Sequence, residues 1–203
     1  MYIEKEADNM TATVKKITQM PLSDVALVRI ITDDSIFSFK TSDEIKTEEV
    51  VSEGEEQTLK IKGVIYANRK AEDTVLGYDL TCNDNVMCPE LLQVMQGGTI
   101  EYDVDGSTFK KYIAPPVGQT LANKKIFITE VYSSEIGTDG DTGRFAKTTF
   151  INCTGSSVPI SYKDGEYYSN EYTIKSRPPK GTEPYRLEIV DALPEDTVNT
   201  TTE

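Results

Sequence analysis

The chain has 203 residues, 37% of them hydrophobic and 27% charged, with a net charge of −13 and neither histidine nor tryptophan. That length and composition describe a folded chain with a real core, and no apolar run approaches the ~20 residues of a membrane helix. Without histidine there is no Ser-His or Cys-His nucleophile and no imidazole base, and a strongly acidic surface repels nucleic-acid phosphates.

Residues 1–22 are polar and short of pattern and are expected to form an arm. The start, "MYIEKEADNM", has neither the basic nor the apolar segment of a signal peptide, which points to a cytoplasmic product. "DVALVRIIT" (24–32) and "SIFSFK" (35–40) are short strands, the second with Ile36 on one face and Phe37 and Phe39 turned from it. Residues 41–56, "TSDEIKTEEVVSEGEE", carry seven acids against Lys46 and are expected to be an acidic loop. "TLKIKGVIYANRK" reads as a hairpin with Leu59, Ile61, Ile65 and Ala67 on one face and Lys60, Lys62 and Asn68 on the other. "DTVLGYDLTC" follows, with Leu76, Tyr78, Leu80 and Cys82 aligned.

The next stretch, "NDNVMCPELLQVMQGG" (83–98), predicts the chain's one clear helix, over 89–96. Asp84 or Asn85 is its expected cap, Pro89 suits the first turn, and Gly97-Gly98 ends it. So short a helix is unstable alone, so Leu91, Val94 and Met95 must dock it on a sheet, covering an open end or edge.

Beyond the helix come a hairpin turning at Asp105-Gly106, a break at "APPVGQ", and the strand "KIFITEVYSSE". "GTDGDTG" is a turn rather than a calcium loop, since Asp139 and Asp141 lack the further ligands. The strand "RFAKTTFINCTG", a hairpin around Asp164-Gly165, the segment "SRPPKG" and a last strand "YRLEIVDA" complete the pattern, with a polar tail over 194–203. "SRPPKG" is either a stiff connector or a contact in which Arg177, with Lys180 nearby, pairs with a neighbouring subunit's carboxylate. Cys82, Cys88 and Cys153 have no metal spacing and are expected to be structural thiols. Short strands at this spacing predict a mainly β fold, a sandwich or barrel with 23–193 as its core. The charge is segregated: 41–56, 135–143 and 188–203 together carry −14, so the rest of the chain is near neutral.

The order of "SEGEEQTLKIKGVIYA", "GYDLTCNDNVMCPELLQVMQGG", "FINCTG" and "YTIKSRPPKG", over roughly residues 20–193, resembles the major tail (tail tube) proteins of phages infecting Gram-positive bacteria. The resemblance implies two packed antiparallel sheets flanked by one short helix, in a non-enzymatic, cofactor-free virion subunit assembled in the host cytoplasm into hexameric rings stacked as a hollow tube. Its implied partners are further copies of itself, a tape measure protein inside the tube, and terminator and tail-tip or baseplate proteins. DNA would pass through an acidic lumen without sequence-specific binding. Glu48, Glu49, Glu53, Glu55, Glu56, Asp139 and Asp141 are the candidate lumen or inter-ring acids. The polar face of 57–82 is the first expected lumen wall, with 124–134 and 144–152 as the alternative, and the helix would brace the sheet on its outer side. Two other classes predict different features: a monomeric β-sandwich module (capsid decoration or carbohydrate binding) needs a concave aromatic patch, and a carboxylate enzyme needs two buried acids in one cleft.

Overall fold

A computed structural model describes residues 16–195, apart from positions 41, 55, 56, 70, 71, 105, 107 and 119–124. Twelve strands and one helix are formed by these residues: β1 (Leu22–Ile31), β2 (Ile36–Phe39), β3 (Ser42–Ser52), β4 (Gln57–Ile61), β5 (Val64–Arg69), β6 (Thr74–Asp84), α1 (Pro89–Gln96), β7 (Thr99–Tyr102), β8 (Phe109–Ile113), β9 (Phe127–Gly137), β10 (Gly140–Gly155), β11 (Asn170–Ser176) and β12 (Tyr185–Val190). The fold is mainly β and antiparallel with one short helix, as the sequence predicts. Its two packed layers belong to one sheet, ordered β2-β1-β9-β10-β11-β6-β3, with β12 also on β10; β4-β5 and β7-β8 are separate two-stranded ribbons.

Alternation along the strands dictates the packing, because successive side chains point to opposite faces. Val28 and Ile30 of β1, Phe127 of β9 and Phe150 of β10 meet Leu80 and Cys82 of β6 and Tyr172 and Ile174 of β11 in one core. The sheet is therefore curled on itself. Leu91, Leu92, Val94 and Met95 of α1 enter the same core, so the helix closes one end of the curl from inside. Gly155 explains how the helix can come so near, since a Cβ there would lie 2.4 Å from Met95 Cα and 2.5 Å from its carbonyl oxygen.

The cap differs from the expectation too. Cys88 holds the N-cap position but its side chain does not cap the helix, and Asp84 is the last residue of β6, fully buried. Anchorage comes instead from Gln96. Its Nε2 donates to Tyr112 Oη (3.0 Å), its Oε1 accepts from Val158 N (3.0 Å), and Tyr112 Oη donates to the Gly97 carbonyl (2.6 Å).

Three further expectations change. The acidic stretch is a strand for most of its length, because β3 pairs with β6 from Ser42↔Asp84 to Ser52↔Thr74. The 57–82 unit is split between the separate β4-β5 ribbon and β6 inside the main sheet. Before Asp164-Gly165, residues 156–163 form no strand, so β11 has no hairpin partner there and pairs with β6 and β10. Of the expected arm, residues 1–15 lie outside the described residues; Pro21 accepts a bond from Ile136 N (2.9 Å).

β10 is the longest strand and has two neighbours in succession on one edge. β12 pairs with Phe145–Phe150 and β11 with Cys153–Gly155. Between them lies a bulge, where the register with β9 shifts between Phe150 and Cys153 and Asn152 adopts φ +52°. Asn152 O accepts from Arg177 N (3.2 Å), its Nδ2 donates to the Arg177 carbonyl, and Ser176 Oγ donates to Ile151 O (2.8 Å). "FINCTG" and "SRPPKG" thus meet at the point where the sheet forks. Asn152→Val should cost about 1–3 kcal/mol for the left-handed backbone and about 1 kcal/mol more for the lost bond, whereas Asn152→Gly should cost only the latter. Urea unfolding of both variants checks this ordering, and equal losses would deny the backbone strain its part.

Candidate assembly surfaces

Strand parity separates the outer face of the sheet from the inner one. On the β3-β6-β11 half, Glu44, Lys46 and Glu48 alternate outward, beside Asn83, Thr81 and Asp79 of β6 and Glu171, Thr173 and Lys175 of β11. Every one of these nine is polar. Four acids against two lysines leave this face at −2. Lys46 Nζ lies 2.8 Å from Glu44 Oε2, a bond that raises the lysine's pKa, with Glu171 adding to it. Among the described residues β3 makes ladder pairs with β6 alone, which leaves its other edge without backbone pairing there.

The other half carries a denser network on its outer face. Glu130 of β9 pairs with Arg29 of β1 (3.3 Å) and Lys147 of β10 (3.7 Å), and accepts from Tyr132 Oη (2.8 Å). Lys147 also holds Glu188 of β12 (2.9 Å), which raises the lysine's pKa and lowers the glutamate's. This balanced lattice fixes strand register and leaves little net charge.

On the inner face the far end of the curl stays open. A cavity of about 390 Å³ is lined there by Val25, Ile45, Tyr78, Phe150, Tyr185 and Leu187, with Asp24 the one charged lining residue. Tyr78, Phe150 and Tyr185 stack on one another with ring centroids 5.4–6.3 Å apart. Burial raises the Tyr78 pKa, and the charge of Glu49, its register partner, raises it further. Tyr185 and Leu187 line one wall yet remain exposed, as does Ile189 further along β12.

The sequence-predicted residues fall in several places. Glu48 is on the acidic outer face, Glu49 on the inner side, and Glu53 is exposed beyond the end of β3. Glu55 and Glu56 lie outside the described residues. Asp139 and Asp141 sit exposed at the β9-β10 turn, where Asp141 Oδ1 accepts from Gly143 N (2.8 Å). The structure does not bring these acids together, and among the described residues no group of three or more His, Cys, Asp or Glu could hold a metal. Arg177 is engaged within its own chain, with Asp79 (2.6 Å) and the Tyr78 carbonyl (3.1 Å). Its backbone crosses Gly77, where a Cβ would meet the Ser176 carbonyl oxygen at 2.1 Å. Lys180 is exposed in the loop beyond.

Two carboxylates are buried, and each has its own structural partners. Asp84 accepts from Ser42 Oγ (2.6 Å) and Tyr172 Oη (2.9 Å), while Glu135 pairs with Arg144 (2.6 Å) and Thr142 (3.0 Å). Neither lines the open cavity.

Sequence reading expected only the polar face of the β4-β5 ribbon to form a surface. Every described side chain from Thr58 to Ala67 is exposed, Leu59, Ile61, Val64, Ile65 and Tyr66 included. A bulge pairs Lys60 with Ile65 and Ile61 with Val64, so Ile65 leaves the face expected for it. Lys62, with φ +47°, forms the tip with Gly63. The signal was present in the sequence: hydrophobic residues on both sides of a hairpin with no single buried face.

No family model matches the chain. No curated protein matches it either. Among solved structures it is similar to a chain in the cryo-EM structure of the anti-feeding prophage (AFP) baseplate, 6-fold symmetrised, with a TM-score of 0.35, 10% identity, and coverage of 88% of this chain and 97% of that one. No helix of the described residues is long and apolar enough to cross a membrane.

The thiols give a direct check on the core. Burial pushes the Cys82 pKa up to about 12 and raises that of Cys153, so both stay protonated well above neutral pH. At about pH 8, where an ordinary thiol of pKa ~8.5 is partly ionised, only Cys88 should alkylate quickly in the folded protein, with the other two reacting after unfolding. Mass spectrometry of iodoacetamide-treated samples reads this out, and rapid labelling at Cys82 would contradict the packing.

Proposed function

We propose that the chain is the structural subunit of a phage tail tube, of the kind its sequence resembles, forming rings that stack around a channel for genomic DNA. The observation that carries this reading is the outer face of β3-β6-β11: wholly polar, net acidic, and bounded by an 11-residue strand with an edge unpaired among the described residues. An unpaired edge is a template for another chain, and continuing it with a neighbour's strand extends the sheet around a ring. The face that then lines the channel carries acids, and an acidic wall lets a polyanion slide where a basic one would hold it. This assignment keeps the β6 part of the expected 57–82 wall and leaves out the β4-β5 ribbon. Glu48 belongs to the lumen in this reading, and Asp139 and Asp141, at the β9-β10 turn, to contacts between rings. Lys180, free of the engagements that hold Arg177, is the better placed of the two for a neighbouring subunit. Tape measure protein inside the tube and terminator and tip proteins at its ends are the partners this role requires.

A second reading has one observation in its favour. The Tyr78, Phe150 and Tyr185 rings at an open cavity offer the concave aromatic patch that a monomeric sugar-binding module needs. Tyr78 and Tyr185 meet edge to face at 89°, so they present no shared flat platform for a sugar ring, which weighs against it.

Negative-stain electron microscopy of the purified protein, with light scattering over a concentration series, should show rings or hollow tubes of uniform diameter. A protein that stays monomeric even with its tip and tape measure partners would sink the tube and favour the binding module. In particles carrying Glu44→Lys, Glu48→Lys and Glu171→Lys together, assembly should persist while DNA ejection slows by about tenfold or more, since three phosphate-binding lysines now line the path. Unchanged ejection kinetics would show that this face does not meet DNA.

A further inference from the structure

The β4-β5 ribbon and the open cavity are complementary surfaces of the same chain, and neither is covered by the described residues. The ribbon is apolar and basic: Leu59, Ile61, Val64, Ile65 and Tyr66 are exposed beside Lys60 and Lys62. The cavity is apolar and acidic. Tyr185 and Leu187 are half-exposed on its wall, Asp24 lines it, Glu49 is near enough to Tyr78 to raise its pKa, and no Lys or Arg lines it. Exposed apolar residues in such number on a two-stranded ribbon are costly in water, and a ribbon of that kind is at best marginally stable alone.

We infer that the β4-β5 ribbon of one copy docks into the open cavity of a neighbouring copy in the same ring. Position supplies the arrangement. The ribbon leaves the sheet where Ser52 pairs with Thr74, and the cavity opens at that same end, beside Glu49↔Tyr78; the helix closes the opposite end, near Ser42↔Asp84 and Gly155. When rings stack in one direction, the open end of one faces the helix end of the next. A ribbon therefore cannot reach a cavity in the ring above, and lies sideways over its neighbour. Each copy gives a ribbon and receives one, a head-to-tail contact that closes when the ring closes. Lys60 and Lys62 then face Asp24 and Glu49 across the junction, which also accounts for basic residues at a place unsuited to an acidic channel. The inference rests on the self-assembly reading but is tested apart from it.

The test uses full-length chains with Cys88→Ser, leaving only the buried thiols. One preparation carries Val64→Cys at the ribbon tip and one epitope tag, the other Leu187→Cys in the cavity and a second tag; both positions are exposed, so folding is undisturbed. A short bis-maleimide added to the mixture should give a dimer bearing both tags, and Lys60→Glu with Lys62→Glu should lower its yield about tenfold. Electron microscopy of untreated wild type runs in parallel. Rings or tubes without the doubly tagged dimer would overturn the docking and leave the tube standing. The dimer without rings or tubes would keep the docking and remove the tube, and the absence of both would remove both. A single chain carrying both cysteines should give a ladder of higher oligomers; a product that stops at dimers would mean two copies face to face and would overturn the side-by-side arrangement.

Discussion

The fork in the sheet at Asn152 is the constraint on which the other surfaces depend. β10 must leave β12 and take up β11 on one edge, and only a bulge lets the strand change neighbours without breaking its pairing with β9. Arg177 ties that bulge from the other side. Its backbone bonds Asn152, and its guanidinium reaches across Ser176 to the Tyr78 carbonyl and Asp79. The prolines that follow cannot donate to a ladder, so the chain is forced out of the sheet before it returns as β12. The stiff connector and the charged contact read for "SRPPKG" are thus one device: the prolines turn the chain, and the arginine holds the turn to β6.

Charge is organised by the same fork. On the β9-β10-β12 side, Glu130 is shared between Arg29 and Lys147, and Lys147 reaches Glu188, so each charge is answered by another. On the β3-β6-β11 side the acids outnumber their partners. Surface pairs of this sort add little stability each. Their arrangement acts instead on what the surface attracts or repels, and the excess acids lie on the half that ends in β3. Charged residues on an edge strand discourage indiscriminate pairing with other chains.

Much of the fold was legible in the sequence because its signals are local. Period-two alternation marked the strands, and Pro89 with Gly97-Gly98 bounded the helix. The errors lie where local and long-range signals compete. Glutamate-rich composition argued for a loop over 41–56, yet pairing with β6 overrides it, since one exposed face of a strand tolerates any number of charges. Asp84 has the chemistry of a helix cap, but burial with Ser42 and Tyr172 claims its carboxylate first. Gln96 gave no signal, because a bracket from a helix end to β8 and to Val158 exists only in three dimensions. For the site, the acids of 41–56 and 135–143 were visible as composition, while their faces were not: parity within β3 sends Glu48 outward and Glu49 inward.

An isolated copy is held between two opposing tendencies. Its exposed ribbon and open cavity favour association, and its net charge of −13 opposes it. Charge repulsion acts over about a Debye length, roughly 8 Å at physiological salt, whereas apolar contact acts only on touching. Random encounters are therefore turned away before apolar surfaces meet. An approach that brings Lys60 and Lys62 toward Asp24 and Glu49 lowers that barrier locally, because it is the one in which opposite charges lead. In the proposed docking, the acidic balance of the chain and the basic tip of its ribbon act as two parts of one control: the first keeps copies apart, and the second selects the orientation in which they meet.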